Sequence, residues 1–259
     1  MTEKIIVMLP TYNEKENIGK MIEILENEVF PEIKKQKMSI LNVDDNSPDG
    51  TSDIVAEKMK KYGNIRICSD KKKGLGEAFI RGVRFAINEM GATAIIKMDA
   101  DFQHDPKYVL DLVNKYNEGN DYIIGSRFAE GGEIPNNWGF YRKFLSKYGG
   151  LCTRIILFFP HINIITDVSS GLKLMSVENV LNKVDLSKIS SGFYYTTQLI
   201  YQALNLGIKI TEIPIKFKLR EKGKTKMSFS NIPLTLKTMI LLRFSGSKKL
   251  KKLENYLKD

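Results

Sequence analysis

Short apolar runs alternating with longer stretches of helical periodicity constrain this chain more than any other feature. Residues 5–9, 38–43, 65–68, 94–98 and 122–124 read as buried strands. Helix patterns fill the intervals at 15–35, 51–61, 76–89 and 106–118. Thr51 and Ser52 offer N-cap oxygens, Pro106 suits a first helical turn, and Gly63, Gly91 and Gly119 stand where helices should stop. A β-α-β alternation of this kind predicts an α/β fold, a mostly parallel, Rossmann-like sheet flanked by helices. Ligands of such sheets bind beyond the carboxyl ends of the strands. Polar clusters fall at those ends here: Thr11-Tyr12-Asn13-Glu14, Asp44-Asp45-Asn46 and Asp99-Ala100-Asp101.

The second half is less regular. Residues 138–159 read as mostly helical, 168–175 as a strand, 193–206 as a helix, 208–219 as an alternating strand and 231–243 as a short helix. The 259 residues, 42% hydrophobic and 27% charged, fit one large domain with a sizeable core or a core with a short appendage. A formal net charge of +10 admits nucleic acid, an anionic membrane surface or a phosphorylated substrate as partner, beside a merely solvated lysine-rich surface. No zinc-finger spacing or RNP-type aromatic strand is found, so nucleic acid is not expected. Cys68 and Cys152 make no disulfide framework, and with only His104 and His161 a histidine-rich zinc site is not expected. The apolar start is too short for a signal-peptide core, and no uncharged apolar run reaches the length of a bilayer span.

Carboxylates at the end of a buried strand are costly unless paired or bound to a cation. Asp99 and Asp101, with Gln103 two residues on, are hard oxygen donors that suit Mg²⁺ or Mn²⁺ bridging nucleotide phosphates. A helix N-cap or loop carboxylate pair accounts for the same triplet equally well. Asp45 ends the second strand, where a carboxylate can accept from a ribose or base, and Asn46-Ser47-Pro48-Asp49-Gly50 after it is strongly turn-forming. Gly74-Leu75-Gly76 beside Lys71, Lys72 and Lys73 lacks the spacing of a P-loop and reads as a glycine-permitted turn before a helix.

Taken together, Pro10-Thr-Tyr-Asn-Glu14, Asp44 to Thr51, Gly74-Leu-Gly76 and Met98-Asp-Ala-Asp-Phe-Gln-His-Asp-Pro106 resemble the family 2 glycosyltransferases. The similarity is to the polyprenol-phosphate (dolichol-phosphate) mannosyltransferases, and Gly125-Ser-Arg127, Thr166-Asp167, Ser170-Gly171 and Arg220 to Lys226 extend it to about residue 230. The resemblance implies a GT-A fold and inverting transfer from a nucleotide sugar to a lipid monophosphate. By the same resemblance Pro10, Tyr12, Glu14, Val43 and Asp45 hold the nucleoside, Asp99, Ala100 and Asp101 contact the donor, and Asp99, Asp101 and Gln103 hold the metal. Arg220 and Lys226 are expected to close over the diphosphate, and Arg127, Arg142 and Ser146 to receive the acceptor phosphate. The residues carrying catalysis on this reading are Asp99, Asp101, Arg127 and Arg220.

Two guanidinium forks and a hydroxyl suit a phosphate, and Arg142 and Ser146, four apart, share a helix face. A phosphate monoester is already ionised near neutral pH, so no strong general base is needed. GDP-mannose and dolichyl or polyprenyl phosphate are the expected substrates. UDP-glucose or UDP-GlcNAc as donor, and a non-catalytic nucleotide-binding membrane adaptor, are the alternatives. Leu172 departs from the aromatic residue that many relatives carry after Ser-Gly. Residues 1–230 are expected to form the catalytic domain and 231–259 an amphipathic helix with a lysine-rich tail. That segment reads either as an interfacial helix or as a helix closing the core. The expected location is cytoplasmic and peripheral on a membrane's cytoplasmic face, reached directly or through a membrane-anchoring partner protein.

Overall fold

The computed structural model describes residues 2–157, 164–192, 194–220, 239, 240 and 242–244. Its centre is a seven-stranded sheet in the order β3-β2-β1-β4-β6-β5-β7. The strands are β1 (Lys4–Thr11), β2 (Lys37–Asp44), β3 (Ile65–Ser69), β4 (Ala94–Lys97), β5 (Tyr122–Ser126), β6 (Lys173–Ser176) and β7 (Ile210–Pro214). All pairings are parallel except those of β6, which runs antiparallel to β4 and β5. The mostly parallel sheet expected from the alternation is therefore present. From β1 the chain steps to β2 and β3 on one side, then crosses back to β4 on the other. The loops after β1 and β4 thus flank a topological switch point, where such sheets open a crevice.

Both faces are covered, which is why the strands read as continuous apolar runs. On one face Ile6 and Met8 pack with α3 (Leu75–Asn88) and α6 (Tyr195–Asn205). On the other Ile5, Val7 and Leu9 pack with α1 (Lys15–Ile24), α2 (Thr51–Tyr62) and α4 (Tyr108–Asn117). Burial of each such side chain is worth roughly 1.5–3 kcal/mol. The remaining helix, α5 (Phe140–Leu157), starts beyond the loop that follows β5 and carries Leu157 into the first of these cores.

Several boundaries moved for local reasons. The helix expected over 15–35 is regular only to Ile24, then widens to a π turn at Leu25–Val29 and tightens to a 3₁₀ turn at Phe30–Glu32. Pro31 lies in that last turn and has no amide with which to continue the ladder. Neither Thr51 nor Ser52 is the N-cap of α2; Gly50 holds that place, and the Asp49 carboxylate accepts from the Thr51 amide (3.0 Å) and hydroxyl (2.6 Å). The strand expected at 168–175 is found at Lys173–Ser176, after a loop tied by the Asp167 and Ser170 side chains, and 208–219 contracts to Ile210–Pro214. Gly74-Leu75-Gly76 is a close-packing device: a Cβ on Gly76 would lie 1.9 Å from the Ser190 carbonyl, and the Gly76 amide donates to the Ser191 carbonyl at 2.8 Å.

Most of 231–259 lies outside the described residues, as does Lys226. In the part that is described, Met239 and Leu242 are buried, and the Met239 thioether accepts the Thr153 hydroxyl of α5 at 3.4 Å. Ile240 and Phe244 remain exposed. No helix among the described residues is long and apolar enough to cross a membrane.

Candidate active site

Three loops at the carboxyl ends of β1, β2 and β4 make one side of the site. Asp44, fully buried, organises the first two. Its oxygens accept from the Thr11 hydroxyl (2.8 Å), the Ser47 amide (2.8 Å) and hydroxyl (2.6 Å), and the Ser52 hydroxyl (3.1 Å). Asp45 points the other way and pairs with Arg81 of α3 at 2.9 Å. Burial pushes its carboxyl up, and Arg81 only partly offsets this. Lys72 sits over the Tyr12 ring, 3.6 Å from its centroid. Pro10 is half-buried, and Val43 is wholly buried in β2 with Pro10 of β1 on one side and Cys68 of β3 on the other.

Asp99, Ala100 and Asp101 follow β4. Burial would raise the Asp99 carboxyl, but the Lys97 ammonium 2.5 Å away outweighs it and holds the group at about 2. Lys97 is itself fully buried and faces Lys173 across the β4–β6 ladder. Like charges so placed repel. Asp99 keeps Lys97 protonated, whereas burial and Lys97 push Lys173 down to about 7. His104, buried beside Asp99 (4.0 Å), is held near 4 by burial, and neither ring nitrogen has a hydrogen-bond partner among the described residues. Gly171 closes over this group: a Cβ there would lie 2.4 Å from an Asp99 oxygen.

Asp101 is buried and raised by burial and by the Asp99 charge, against the pull of Arg220. Arg220 bridges Asp101 (2.7 Å) and Glu14 (3.2 Å), joining residues far apart in the chain. The Gln103 amide donates to Asp101 (3.1 Å) and its side chain to the Lys218 carbonyl (3.4 Å). Phe102 takes a φ of +60°, a strained value for an aromatic residue, and this turns the chain between Asp101 and Gln103. Among the described residues no three acidic, histidine or cysteine side chains cluster as a metal cage. The set is two carboxylates and an amide.

A second, cationic side lies across from this. Arg127, at the end of β5, grips the buried Asp167 with Nε (2.7 Å) and Nη2 (2.8 Å) and donates to the Ser169 hydroxyl (2.7 Å). Burial would raise Asp167, but Arg127 holds it below the usual carboxylate range. Arg142 of α5 lies over the Trp138 ring at 4.1 Å and makes no ion pair among the described residues. Burial and the nearby Arg127 charge lower its pKa, so two guanidiniums share one neighbourhood. Ser146, one turn on, is half-buried.

The glycosyl transferase family 2 profile matches residues 6–180. The chain belongs to this family. It is 34% identical to the polyprenol monophosphomannose synthase of Mycolicibacterium smegmatis, over 89% of this chain and 83% of that one. It is equally 34% identical to the dolichol-phosphate mannosyltransferase of Pyrococcus furiosus, over 88% of this chain but only 60% of that longer protein. The glucosyl-3-phosphoglycerate synthase of Mycobacterium tuberculosis, solved with Mn²⁺, UDP-glucose and phosphoglyceric acid, superposes with a TM-score of 0.66. Its identity is 17%, with 93% of this chain and 79% of that one covered. The resemblance read from the motifs is borne out, and the architecture is the GT-A fold.

The structure brings Glu14, Asp99, Asp101, Gln103 and Arg220 together on one side, and Arg127 and Arg142 on the other. Residues assigned no role from sequence are Lys97, Lys173, Trp138 and Phe217, while Asp44 and Asp167 were named only within motifs. Two lysines inside apolar strands were a signal in plain view, since lysine is almost never fully buried unpaired.

Proposed function

We propose that this glycosyltransferase moves mannose from GDP-mannose to a dolichyl or polyprenyl monophosphate, with inversion, at the cytoplasmic face of a membrane. The observation that carries the reading is the facing of two sites of opposite character: the Glu14-Arg220-Asp101 bridge with Asp99, and the paired guanidiniums of Arg127 and Arg142. The first suits a nucleotide sugar with its cation, the second a phosphate. The names of the M. smegmatis and P. furiosus relatives support the mannosyl donor and lipid acceptor.

The residues fit a divalent cation, because Asp101 is destabilised by Asp99 and already draws a positive group, Arg220, onto itself. Asp99, Asp101 and the Gln103 amide oxygen would hold Mg²⁺ or Mn²⁺, which when bound supplies charge neutralisation for the leaving diphosphate. Pro10, Tyr12, Glu14, Val43 and Asp45 hold the nucleoside, and Ala100 flanks the donor. Arg220 then leaves the carboxylates for the diphosphate, with Lys226 joining it. Arg127 and Arg142, with Ser146, orient the acceptor phosphate. Its ionised oxygen attacks in line without a general base, so positioning and electrostatics carry the rate.

Access to a lipid is supported by α5, which exposes Phe144, Tyr148, Leu151 and Ile155 along one face. This stripe is an apolar surface for peripheral docking, and Phe244 (81% exposed) is a further exposed aromatic side chain. The test is a nucleotide-sugar panel with dolichyl phosphate and MnCl₂, watching for GDP or UDP. GDP release dependent on GDP-mannose and lipid is expected. UDP release instead would reassign the donor, and no release with any donor would favour a non-catalytic adaptor.

A further inference from the structure

The segment after β7 is bonded at one end to the acceptor side and at the other to the donor side. Ile215 donates to the Ser126 carbonyl (2.9 Å), and the amides of Glu133 and Phe217 exchange bonds with Ile215 and Glu133 (2.9 Å each). Further on, the Lys218 amide donates to the Gln103 carbonyl (2.8 Å), its ammonium pairs with Asp105 (2.8 Å), and Arg220 reaches Asp101 and Glu14. Phe217 is the middle of this strap. Its ring meets His104 edge-on (centroids 5.0 Å, 74°) and Trp138 edge-on (5.7 Å, 77°), and Arg127 lies 5.2 Å from its centroid. Trp138 in turn carries Arg142 on its ring, and His104 abuts Asp99. One side chain therefore touches the neighbours of the donor carboxylate and of both acceptor guanidiniums.

We propose that Phe217 is a positioning residue that sets the spacing between the donor carboxylates and the two acceptor-side arginines. The proposal rests on the two-site reading given above. A flat ring can meet two aromatic neighbours at its edges and offer a face to a cation, and these contacts are directional. A leucine fills similar space but has no face to offer Arg127 and no ring edge to hold Trp138. Loss of the ring should leave each half-site formed and disturb their register.

The full-length chain is compared with F217L and F217Y. Trp138 is the only tryptophan, so its emission reports on this cluster directly. For F217L the dissociation constants for GDP with MnCl₂ and for inorganic phosphate should stay within about threefold of wild type, while turnover of GDP-mannose with dolichyl phosphate falls tenfold or more. F217Y, which keeps the ring, should recover turnover to within about threefold, and the phosphate-induced change in Trp138 emission should differ in F217L alone. W138L breaks the same chain of contacts one ring further on and should show the same loss of turnover. Wild-type turnover in F217L overturns the proposal. So does a loss of both affinities in step with melting temperature, which marks a merely structural role. If the wild-type protein binds no phosphate or turns over no donor, the two-site reading itself fails.

Discussion

Replacing Asp167 with Asn isolates the electrostatics of the Arg127 side of the site without changing its shape. The carboxylate is 1% exposed and accepts from the Arg127 amide (3.1 Å), Nε (2.7 Å) and Nη2 (2.8 Å), and from the Ser169 amide (3.3 Å) and hydroxyl (3.2 Å). A carboxamide has one oxygen, so an NH₂ group must face one of these donors. The Arg127 guanidinium, 11% exposed, cannot shed its proton and is left uncompensated. Breaking a buried pair from one side costs about 3–5 kcal/mol, which for a chain of this size lowers Tm by roughly 6–20 °C. The pH dependence has a definite sign. Asp167 is held below its unfolded value, so the pair's stabilisation is complete above about pH 5 and is lost as pH falls through the depressed folded value. Urea unfolding of wild type and D167N at pH 7.5, 5.5 and 4.0 should therefore give a constant gap at the upper two values and a narrower one at the lowest. A gap below about 1 kcal/mol at pH 7.5, or one that widens on acidification, would refute the reasoning.

Four further outcomes are expected. G171A drives a methyl to within 2.4 Å of the Asp99 oxygen, and turnover should drop about a hundredfold with circular dichroism unchanged. D101A should abolish Mn²⁺-dependent transfer while the protein stays folded; persistent metal-dependent activity would remove Asp101 from the metal set. Burial pushes Glu26 up to about 7, so its protonated form stabilises the fold below the unfolded carboxylate value and that stability is lost as pH rises through 7. E26Q should accordingly melt higher than wild type at pH 8 and no higher at pH 4; equal melting at pH 8 would contradict the burial argument. Finally, F144S/I155S should weaken co-sedimentation with anionic liposomes severalfold without altering GDP binding, and undiminished binding would show that α5 is not the docking face.

The fold was legible because its strands are buried on both faces, and unbroken apolar runs such as 5–9 and 94–98 carry that requirement in their composition. Gly63, Gly91 and Gly119 marked helix ends correctly, each with positive φ. Less legible were boundaries set by local side-chain bonding, as where Gly50 rather than Thr51 is the N-cap of α2 while Thr51 donates to the Asp49 carboxylate. The interfacial reading placed on 231–259 also named only one candidate. An apolar stripe on α5 was hidden because residues 138–159 carry apolar side chains on more than one face, and periodicity cannot say which face the core takes.

Strand-end chemistry was fixed by local pattern: each acidic or polar cluster follows an apolar run, and a strand's direction decides which end of the sheet its loop reaches. Motif order alone then identified the family. Tertiary structure decided which charges meet. Arg220 comes to Asp101 and Glu14 across more than a hundred residues, Arg127 is claimed by Asp167, and Lys97 and Lys173 oppose each other only because β6 runs antiparallel to β4. Ion pairing depends on distance in space and on burial, and a sequence specifies neither until the sheet order has brought its edges together.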